Sequence, residues 1–287
     1  MKCPSTPAAV IADLSALART IRGRLVQMSS AAKTPHLGSS LSCVDILVAA
    51  YWAILRIDPA HPSDPHRDRF ILSKGHAATA LYATLAHRGF FPLALLDTFN
   101  CPGGRLGEHP SLGCVPGVEA STGSLGHGLS LGLGMALAQR IQKTPARVFV
   151  LLSDGECQEG TVWEAAMFAA ARRLENVAAI VDYNQWQATG RTNEIMAMEP
   201  LADKWRAFGW TAHAVDGHDP AALAAVLGHV PDGSGRPVAV IAHTVKGKGV
   251  SFMEDDNNWH YRIPTADEVR AAYRELGLGE RAGEIRD

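Results

Sequence analysis

The architecture of this chain is set by Ser153–Gly190, which reads SDGECQEGTVWEAAMFAAARRLENVAAIVDYNQWQATG. The short apolar run RVFVLL (Arg147–Leu152) leads into this segment, and a second run, VAAIV (Val177–Val181), lies inside it. Continuous β-branched runs of this length are typical of strands buried on both faces. Glu159–Leu174 between them is Ala-rich and amphipathic, which favours a helix. A right-handed strand–helix–strand crossover predicts parallel strands whose carboxyl ends share one edge.

Polar side chains follow both predicted strands at that edge. Asp154 comes directly after the first strand and Asn184 after the second. A carboxylate oxygen and an amide oxygen form a partial ligand set for Mg²⁺, which takes its remaining ligands from water and phosphate. Gly155 removes a side chain where a diphosphate would approach the backbone. Taken alone, the pair is equally typical of an Asp-Gly turn and an Asn cap.

A glycine-rich segment lies upstream, at Ser121–Gly134 (STGSLGHGLSLGLG). Its backbone amides and the positive dipole end of the helix that follows favour the binding of an anion. The alternative is that the glycines serve close packing of the helix on the sheet. The segment carries neither a Walker loop nor a dinucleotide fingerprint, which disfavours the common nucleotide-binding folds.

These motifs together resemble the transketolase family. The thiamine diphosphate motif of that family resembles Asp154-Gly155 and Asn184, preceded by TGSLG (Thr122–Gly126). Further similar segments are Lys33–Gly38 (KTPHLG), Arg69–Ala77 (RFILSKGHA), Gly107–Pro110, Pro116–Glu119 (PGVE), Val215–His218 (VDGH) and Thr244–His260 (TVKGKGVSFMEDDNNWH). Their shared order along the chain makes the resemblance specific.

The resemblance implies that thiamine diphosphate binds here with Mg²⁺, or with Ca²⁺ or Mn²⁺ in its place. It implies that Asp154, Asn184 and the carbonyl of Trp186 hold the cation. The residues implied to contact the cofactor are Gly123, Ser124, Leu125, Gly155, Glu156, Asn184, His76 and His260. The chain departs from the family at Ser153, His127 and Thr189, where Gly, Gln and an acid are usual.

Histidines are numerous, and the resemblance gives catalytic roles to several of the 12. It implies that His76 and His260 contact the cofactor, that His109 contacts the terminal hydroxyl of the donor sugar, and that His36 contacts the reacting carbonyl or an acceptor hydroxyl. Imidazole suits this work because it exchanges protons near neutral pH. Glu159 has two open readings: a favourable charge at a helix start, or part of the proton wiring between two cofactor sites across a subunit interface.

The activity implied by the resemblance is transfer of a two-carbon ketol unit from a ketose or ketose phosphate donor to an aldose acceptor. In the family, a second α/β half binds the aminopyrimidine ring and supplies its activating glutamate. We therefore expect residues 1–287 to form one diphosphate-binding domain, the N-terminal subunit of a split transketolase that works with a separate C-terminal subunit in an α2β2 assembly. The alternatives are an α-type subunit of a thiamine-dependent 2-oxoacid dehydrogenase and a noncatalytic cofactor-binding subunit.

Composition agrees with one large α/β domain: 287 residues, 47% hydrophobic and 20% charged. A net charge of −2 gives no basic stripe, so nucleic acid and membrane surfaces are not expected partners. No predicted membrane span or signal peptide is found, and a cytoplasmic location is expected. Five cysteines without a Cys-x-x-Cys pair predict neither a disulfide framework nor a structural zinc, and Cys157 is read as a small buried residue.

Hydrophobic periodicity predicts alternating helices and strands, and therefore a mostly parallel sheet with helices on both faces. Helices are predicted near residues 10–30, 41–55, 77–88, 128–142, 159–174, 199–208 and 219–229, and a helix-prone tail at 265–276. Strands are predicted near residues 147–152, 177–182, 210–215 and 237–243. The Pro-, Gly- and His-rich stretches Asp58–Arg69 and Asn100–Glu119 are interpreted as ordered active-site loops.

Overall fold

A computed structural model describes residues 8–279, and within them five strands form one sheet in the order β1-β2-β3-β5-β4. Every neighbouring pair is parallel. The strands are β1 (Arg69–Leu72), β2 (Val148–Ser153), β3 (Val177–Tyr183), β4 (Thr211–Asp216) and β5 (Val238–His243). The predicted α/β fold with a parallel sheet is confirmed.

Helices cover both faces of this sheet. They are α1 (Ala8–Ala32), α2 (Leu37–Ser42), α3 (Val44–Ala49), α4 (Ala78–Arg88), α5 (His127–Ile141), α6 (Gly160–Ala171), α7 (Thr192–Ile195), α8 (Leu201–Ala207), α9 (Pro220–Leu227) and α10 (Ala266–Glu275). A π-helical turn, Ala50–Ile54, continues α3. The helix-prone tail is confirmed as α10, which begins with a capping box between Thr265 and Glu268.

Alternate residues of each central strand enter two separate cores, as the period of a strand requires. On β3, Ala178 and Ile180 pack into a core with α1, α3, α4, α9 and α10. Val177, Ala179 and Val181 pack into a second core with α5, α6 and α8. All seven residues of β3 are buried, so the position of the residues that follow its carboxyl end, including Asn184, is fixed by close packing.

Two predicted elements are wrong in detail. The predicted strands omit β1, whose four-residue run RFIL is too short to stand out and becomes a strand by pairing with β2. The predicted helix 41–55 is divided, because Cys43 leaves helical geometry with a φ of −96° between α2 and α3.

The stretch Asp58–Arg69 is not an active-site loop. It leads into the amino end of β1, whereas Asp154 and Asn184 follow the carboxyl ends of β2 and β3. Its Arg67 forms a salt bridge with the buried carboxylate of Glu119. The other stretch, Asn100–Glu119, carries His109 toward the His36 ring and reaches the expected region.

The described cysteines are free, and Cys3 lies outside the described residues. Cys157 is fully buried in the core that contains α5 and α6, which confirms its reading as a small buried residue. Burial raises the pKa of its thiol well above the ordinary value. Within residues 8–279, no helix combines the length and the apolar character that a membrane span requires.

Candidate active site

The register of the sheet places the two predicted metal ligands next to each other. Ser153 pairs with Asp182, so the residues that follow β2 and β3 emerge at neighbouring points on one edge. Asp154 and Asn184 are both buried. The strand–helix–strand prediction thus brings them to the same end of the sheet.

The carboxylate of Asp154 is held by two donors from the chain. One oxygen accepts a hydrogen bond from the Gly155 amide at 2.9 Å, and the other accepts from the Thr192 hydroxyl at 2.7 Å. Burial raises the pKa of Asp154 to about 6, and these hydrogen bonds offset only part of that effect. Burial makes the negative charge of Asp154 unfavourable, and a bound cation would compensate that charge.

A tight turn follows β3 and folds back on Asp154. Gln185 takes a left-handed conformation with a φ of 66°, and its carbonyl accepts a hydrogen bond from the Thr192 amide. The amide of Trp186 donates to the side-chain oxygen of Asn184 at 3.0 Å. The guanidinium of Arg191 lies 3.9 Å from the centre of the Trp186 ring and pairs with Asp255. The turn therefore fixes both the Asn184 side chain and the Trp186 backbone.

These donors fit a hard divalent cation that shares its ligands with a phosphate. Residues 8–279 contain no group of three or more His, Cys, Asp or Glu side chains placed to hold a metal. One carboxylate, one amide oxygen and one carbonyl would leave the remaining positions to water and phosphate oxygens, as Mg²⁺ prefers. A Cβ at Gly155 would lie 3.1 Å from Gln187 Cγ, so a side chain there would narrow the approach. The buried Gln187 Nε2 has no hydrogen-bond partner in the protein.

The glycine-rich loop packs against two other loops of the site. A Cβ at Gly123, whose φ is 140°, would lie 2.8 Å from the His109 ring. A Cβ at Gly75 would lie 2.6 Å from the Gly123 amide nitrogen. Glycine is required at both positions because backbone and ring approach so closely. Leu125 is half-buried and Ser124 is exposed beside this junction.

Glu156 ties this loop to β2. Its buried carboxylate accepts hydrogen bonds from the Gly126 amide at 2.9 Å, from the Ser153 amide at 3.1 Å and from the Ser73 hydroxyl. Burial raises the pKa of Glu156, and the three donors oppose that effect. Three chain donors already occupy the group, so its predicted contact with a cofactor stays a prediction.

The structure brings the four predicted catalytic histidines together. The His36 ring centre lies 5.4 Å from that of His76, 6.5 Å from that of His109 and 4.8 Å from that of His260. His36 has a left-handed φ of 69°, and its amide donates to the His260 carbonyl at 2.8 Å. The buried His36 Nδ1 has no partner in the protein. The cluster thus combines ordered rings with an unused polar atom.

Burial keeps the imidazoles of His36, His76 and His260 neutral. Desolvation, reinforced by the neighbouring His109 and Lys246, lowers the pKa of His36 to about 4. Desolvation and Lys246 lower the pKa of His260 to about 3. The pKa of His76 is also well below its ordinary value, chiefly through burial. At neutral pH each ring offers one N–H donor and one acceptor nitrogen.

Two buried lysines were missed as site residues. Lys246 Nζ lies 3.1 Å from His260 Nδ1 and donates to Asn257 at 2.7 Å, and burial lowers its pKa to about 8. The loop that carries Lys246 thus places its ammonium group next to the His260 ring. Lys74 is fully buried in an ion pair with Asp182. The signal for both was their position inside the similar segments.

The remaining predicted positions are the exposed Glu159, His127 and Thr189 and the buried Ser153. Glu159 is exposed at the start of α6 and makes no side-chain cap, so both of its readings stay open. His127 and Thr189, two of the departures from the family, are exposed. Ser153 accepts a hydrogen bond from the Glu156 amide at 3.2 Å and is accommodated within the turn.

A parallel α/β sheet with an Asp-Gly turn and an Asn at neighbouring strand ends defines a diphosphate-binding domain of the thiamine type. Residues 14–287 match the family model described as "Transketolase, thiamine diphosphate binding domain". The chain belongs to the transketolase family. The prediction of thiamine diphosphate as cofactor is confirmed at the level of this domain.

Known proteins similar to this chain fall into two groups by length. It is 42% identical over 264 residues to a protein of Clostridium sp. strain MSTE9 named 6-deoxy-6-sulfo-D-fructose transketolase subunit, covering 92% of this chain and 96% of that protein. It is 42% identical to a protein of Phocaeicola vulgatus that is named as one subunit of an apulose-4-phosphate transketolase, covering 89% and 90%. The solved transketolase of Campylobacter jejuni superposes with a TM-score of 0.87 at 27% identity, covering 93% of this chain but 43% of the other.

Proposed function

We propose that this chain is the N-terminal, diphosphate-binding subunit of a thiamine diphosphate-dependent transketolase and transfers a two-carbon ketol unit from a ketose to an aldose. The observation that carries the proposal is that the Asp154 and Asn184 pair and the histidine cluster lie at the same edge of the sheet: His76 follows the carboxyl end of β1, and Asp154 follows that of the neighbouring β2. His76, His109 and His260 all surround the ring of His36. The similarity to proteins named as transketolase subunits supports it.

In this proposal each side of the site has one task. Asp154, Asn184 and the Trp186 carbonyl hold Mg²⁺, and Gly155 leaves room for the diphosphate against the backbone. Thiamine diphosphate, when bound, supplies the carbon nucleophile and the electron sink for cleavage next to a ketose carbonyl. The neutral rings of His76 and His260 hydrogen-bond to bound ligand. His36 and His109 orient sugar hydroxyls and exchange protons with them.

The active enzyme in this proposal contains a second chain. The relatives named as subunits have nearly the length of this chain, whereas the chain spans about two fifths of the solved transketolases. We infer that a C-terminal subunit supplies the pyrimidine-binding half and the activating glutamate, in an α2β2 assembly. Small sugars or sugar phosphates are the proposed substrates. The expected cytoplasmic location stays a prediction.

The alternative functions are less well supported. An α-type subunit of a 2-oxoacid dehydrogenase would share the Asp-Gly and Asn pair but has no need of four clustered histidines. A noncatalytic cofactor-binding subunit has no chemical use for neutral imidazoles with an unpartnered nitrogen such as His36 Nδ1.

The test is reconstitution with the chain that carries the second half. We expect ketol transfer only when both chains, Mg²⁺ and thiamine diphosphate are present, with a donor panel that includes phosphorylated and 6-sulfonated ketoses. Pyruvate decarboxylation without ketol transfer would favour the dehydrogenase alternative. Rapid ketol transfer by this chain alone would contradict the need for a partner.

A further inference from the structure

His218, the last residue of the VDGH motif, has no task in the proposed chemistry, yet its ring joins two parts of the protein. On one side, His218 Nδ1 lies 2.7 Å from a carboxylate oxygen of Asp45 in α3. On the other side, the backbone amide of Val245 donates to His218 Nε2 at 2.8 Å. Val245 immediately precedes Lys246, whose Nζ lies 3.1 Å from His260 Nδ1.

These two hydrogen bonds assign the protonation state of the ring. A backbone amide is only a donor, so Nε2 must be the unprotonated acceptor nitrogen. The proton of the neutral ring is therefore on Nδ1 and points to the Asp45 carboxylate. Burial alone would raise the pKa of Asp45, but hydrogen bonds from His218 and Arg22 hold it below its ordinary value.

The far end of this chain of contacts is rigid. Arg22 in α1 holds both oxygens of Asp45, at 3.2 and 2.6 Å. The side chains of Arg22, Asp45 and His218 are each no more than 14% exposed. Because a charged pair with little solvent access resists rearrangement, the ring of His218 is fixed relative to α1 and α3.

At the other end of these contacts is the loop Thr244–Val250. It packs closely against Arg22 and His218, which together with Asp45 we call the anchor. A Cβ at Gly217 would lie 2.4 Å from Thr244 Cγ2, so the turn before His218 packs directly on the loop. A Cβ at Gly249 would lie 2.7 Å from Arg22 Cδ. The anchor therefore touches the loop on both sides of Lys246.

We propose that His218 is a positioning residue of the active site: by accepting the Val245 amide hydrogen bond, it fixes the backbone that places Lys246 against His260. The proposal rests on the proposed function, because it assumes that this cluster serves ketol transfer. His218 acts through Lys246 and touches no reacting atom.

Two amide variants separate the two hydrogen bonds of the ring. In His218→Gln the terminal amide oxygen reaches the place of Nε2 and still accepts from Val245, whereas the bond to Asp45 is lost. In His218→Asn the shorter amide nitrogen takes the place of Nδ1 and still donates to Asp45, whereas the acceptor for Val245 is lost. Each variant thus removes one bond and serves as the control for the other.

In the complex with the second chain, we expect His218→Asn to lower kcat about tenfold, the effect of one lost hydrogen bond, with KM for the donor changed less than about twofold. His218→Gln should stay within about threefold of the wild type. Hydrogen exchange of the Val245 and Gly247 amides should be faster in His218→Asn only. Equal kcat in the two variants, or wild-type kcat in His218→Asn, would overturn the proposal.

One measurement on the wild-type chain keeps the proposal falsifiable if the variants do not fold. Nitrogen-15 NMR of the His218 ring at neutral pH should show an unprotonated Nε2 and a protonated Nδ1, and the reverse tautomer would overturn the proposal. If the wild-type complex shows no ketol transfer, the proposed function fails. The exchange comparison and the ring spectrum would then decide the positioning of Lys246 by themselves.

Discussion

At the scale of single residues, Asp154 is the most informative side chain to change. Asp154→Asn keeps an oxygen to accept from Gly155 but removes the negative charge, so we expect uptake of thiamine diphosphate with Mg²⁺ to weaken at least about 100-fold. Because burial raises the pKa of Asp154, its charge destabilises the ligand-free fold above about pH 6. The ligand-free variant should therefore unfold at the same or a higher temperature at pH 7.

Calorimetry of the reconstituted complex measures the affinity for thiamine diphosphate with Mg²⁺. Thermal unfolding of the ligand-free chain measures the effect of the substitution on stability. Asp203→Asn is the matched control, because Asp203 is paired with Arg206 outside the site. Cofactor uptake by Asp154→Asn at wild-type affinity would contradict the proposed metal site.

A second residue-scale prediction concerns the close approach of Gly123 to His109. In Gly123→Ala the new methyl would lie 2.8 Å from the ring, so His109 must move, and we expect kcat to fall about 100-fold. Gly113→Ala has the same need for a positive φ, 77°, but its Cβ meets nothing within 4 Å. That control should lose stability by about 1 kcal/mol and keep kcat within a few-fold. Similar kcat losses in both variants would show that the His109 contact is not the cause.

The sequence indicated these residues unevenly. Asp154, Asn184 and the histidines follow from short motifs whose spacing is local or recognisable by resemblance. Thr192 as a donor to Asp154 was not predicted, because the turn after β3 must first fold back over eight residues. The burial of Lys246 was not predicted, because it depends on contacts of its loop with the distant α2, such as the hydrogen bond from the Gly247 amide to the Gly38 carbonyl.

At the scale of elements, the packing of α5 on β2 gives a matched pair of glycines. A Cβ at Gly132 would lie 2.6 Å from Val150 Cγ2, so we expect Gly132→Ala to destabilise the fold by about 1–3 kcal/mol. Gly134, one half-turn along the same helix, is exposed and a Cβ there meets nothing within 4 Å. Gly134→Ala should stabilise by up to about 1 kcal/mol, because alanine favours the helix.

Urea denaturation of both α5 variants measures these changes. Equal effects of the two substitutions would mean that helix propensity, and not the distance from α5 to the sheet, decides the outcome. The prediction also bears on the glycine-rich segment: its reading as a packing device is correct for Gly132, whereas Gly123 lies against the site.

Elements with a strong repeating pattern were predicted well. The two buried strands β2 and β3 and the helix between them follow from continuous apolar runs and an amphipathic segment. β1 and the break at Cys43 were not predicted, because neither has a pattern of its own. β1 pairs with β2, and the break between α2 and α3 is a change of backbone angle at the single residue Cys43.

At the scale of the whole molecule, the neutral histidines link stability to acid. The pKa of His36 and that of His260 are lowered to about 4 and about 3, and an unfolded His titrates near 6.5. Below about pH 6.5 the unfolded chain binds protons that the folded chain does not, so the free energy of unfolding falls by about 1.4 kcal/mol per pH unit and histidine. This loss of stability is complete once the pH falls below the pKa values that the two histidines have in the folded chain.

Asp154 works in the opposite direction, because its raised pKa lets the folded chain bind a proton near pH 6. Urea denaturation of the ligand-free chain between pH 7 and pH 4 should show falling stability for the wild type. In His260→Asn the free energy of unfolding should depend less steeply on pH, by the equivalent of about one proton taken up on unfolding. An unchanged slope would mean that His260 is already protonated in the folded state.

The strand order β1-β2-β3-β5-β4 has a consequence for biosynthesis. β1 ends at Leu72, but its hydrogen-bonding partner begins only at Val148. At ordinary translation speeds, on the order of ten seconds pass between the two. During that interval the apolar faces of α1, α3 and α4 have no sheet to cover them, and distant pairing of this kind is slow even in the finished chain. We therefore expect the nascent polypeptide to expose these apolar faces, and to be bound by chaperones, until β2 has been synthesised.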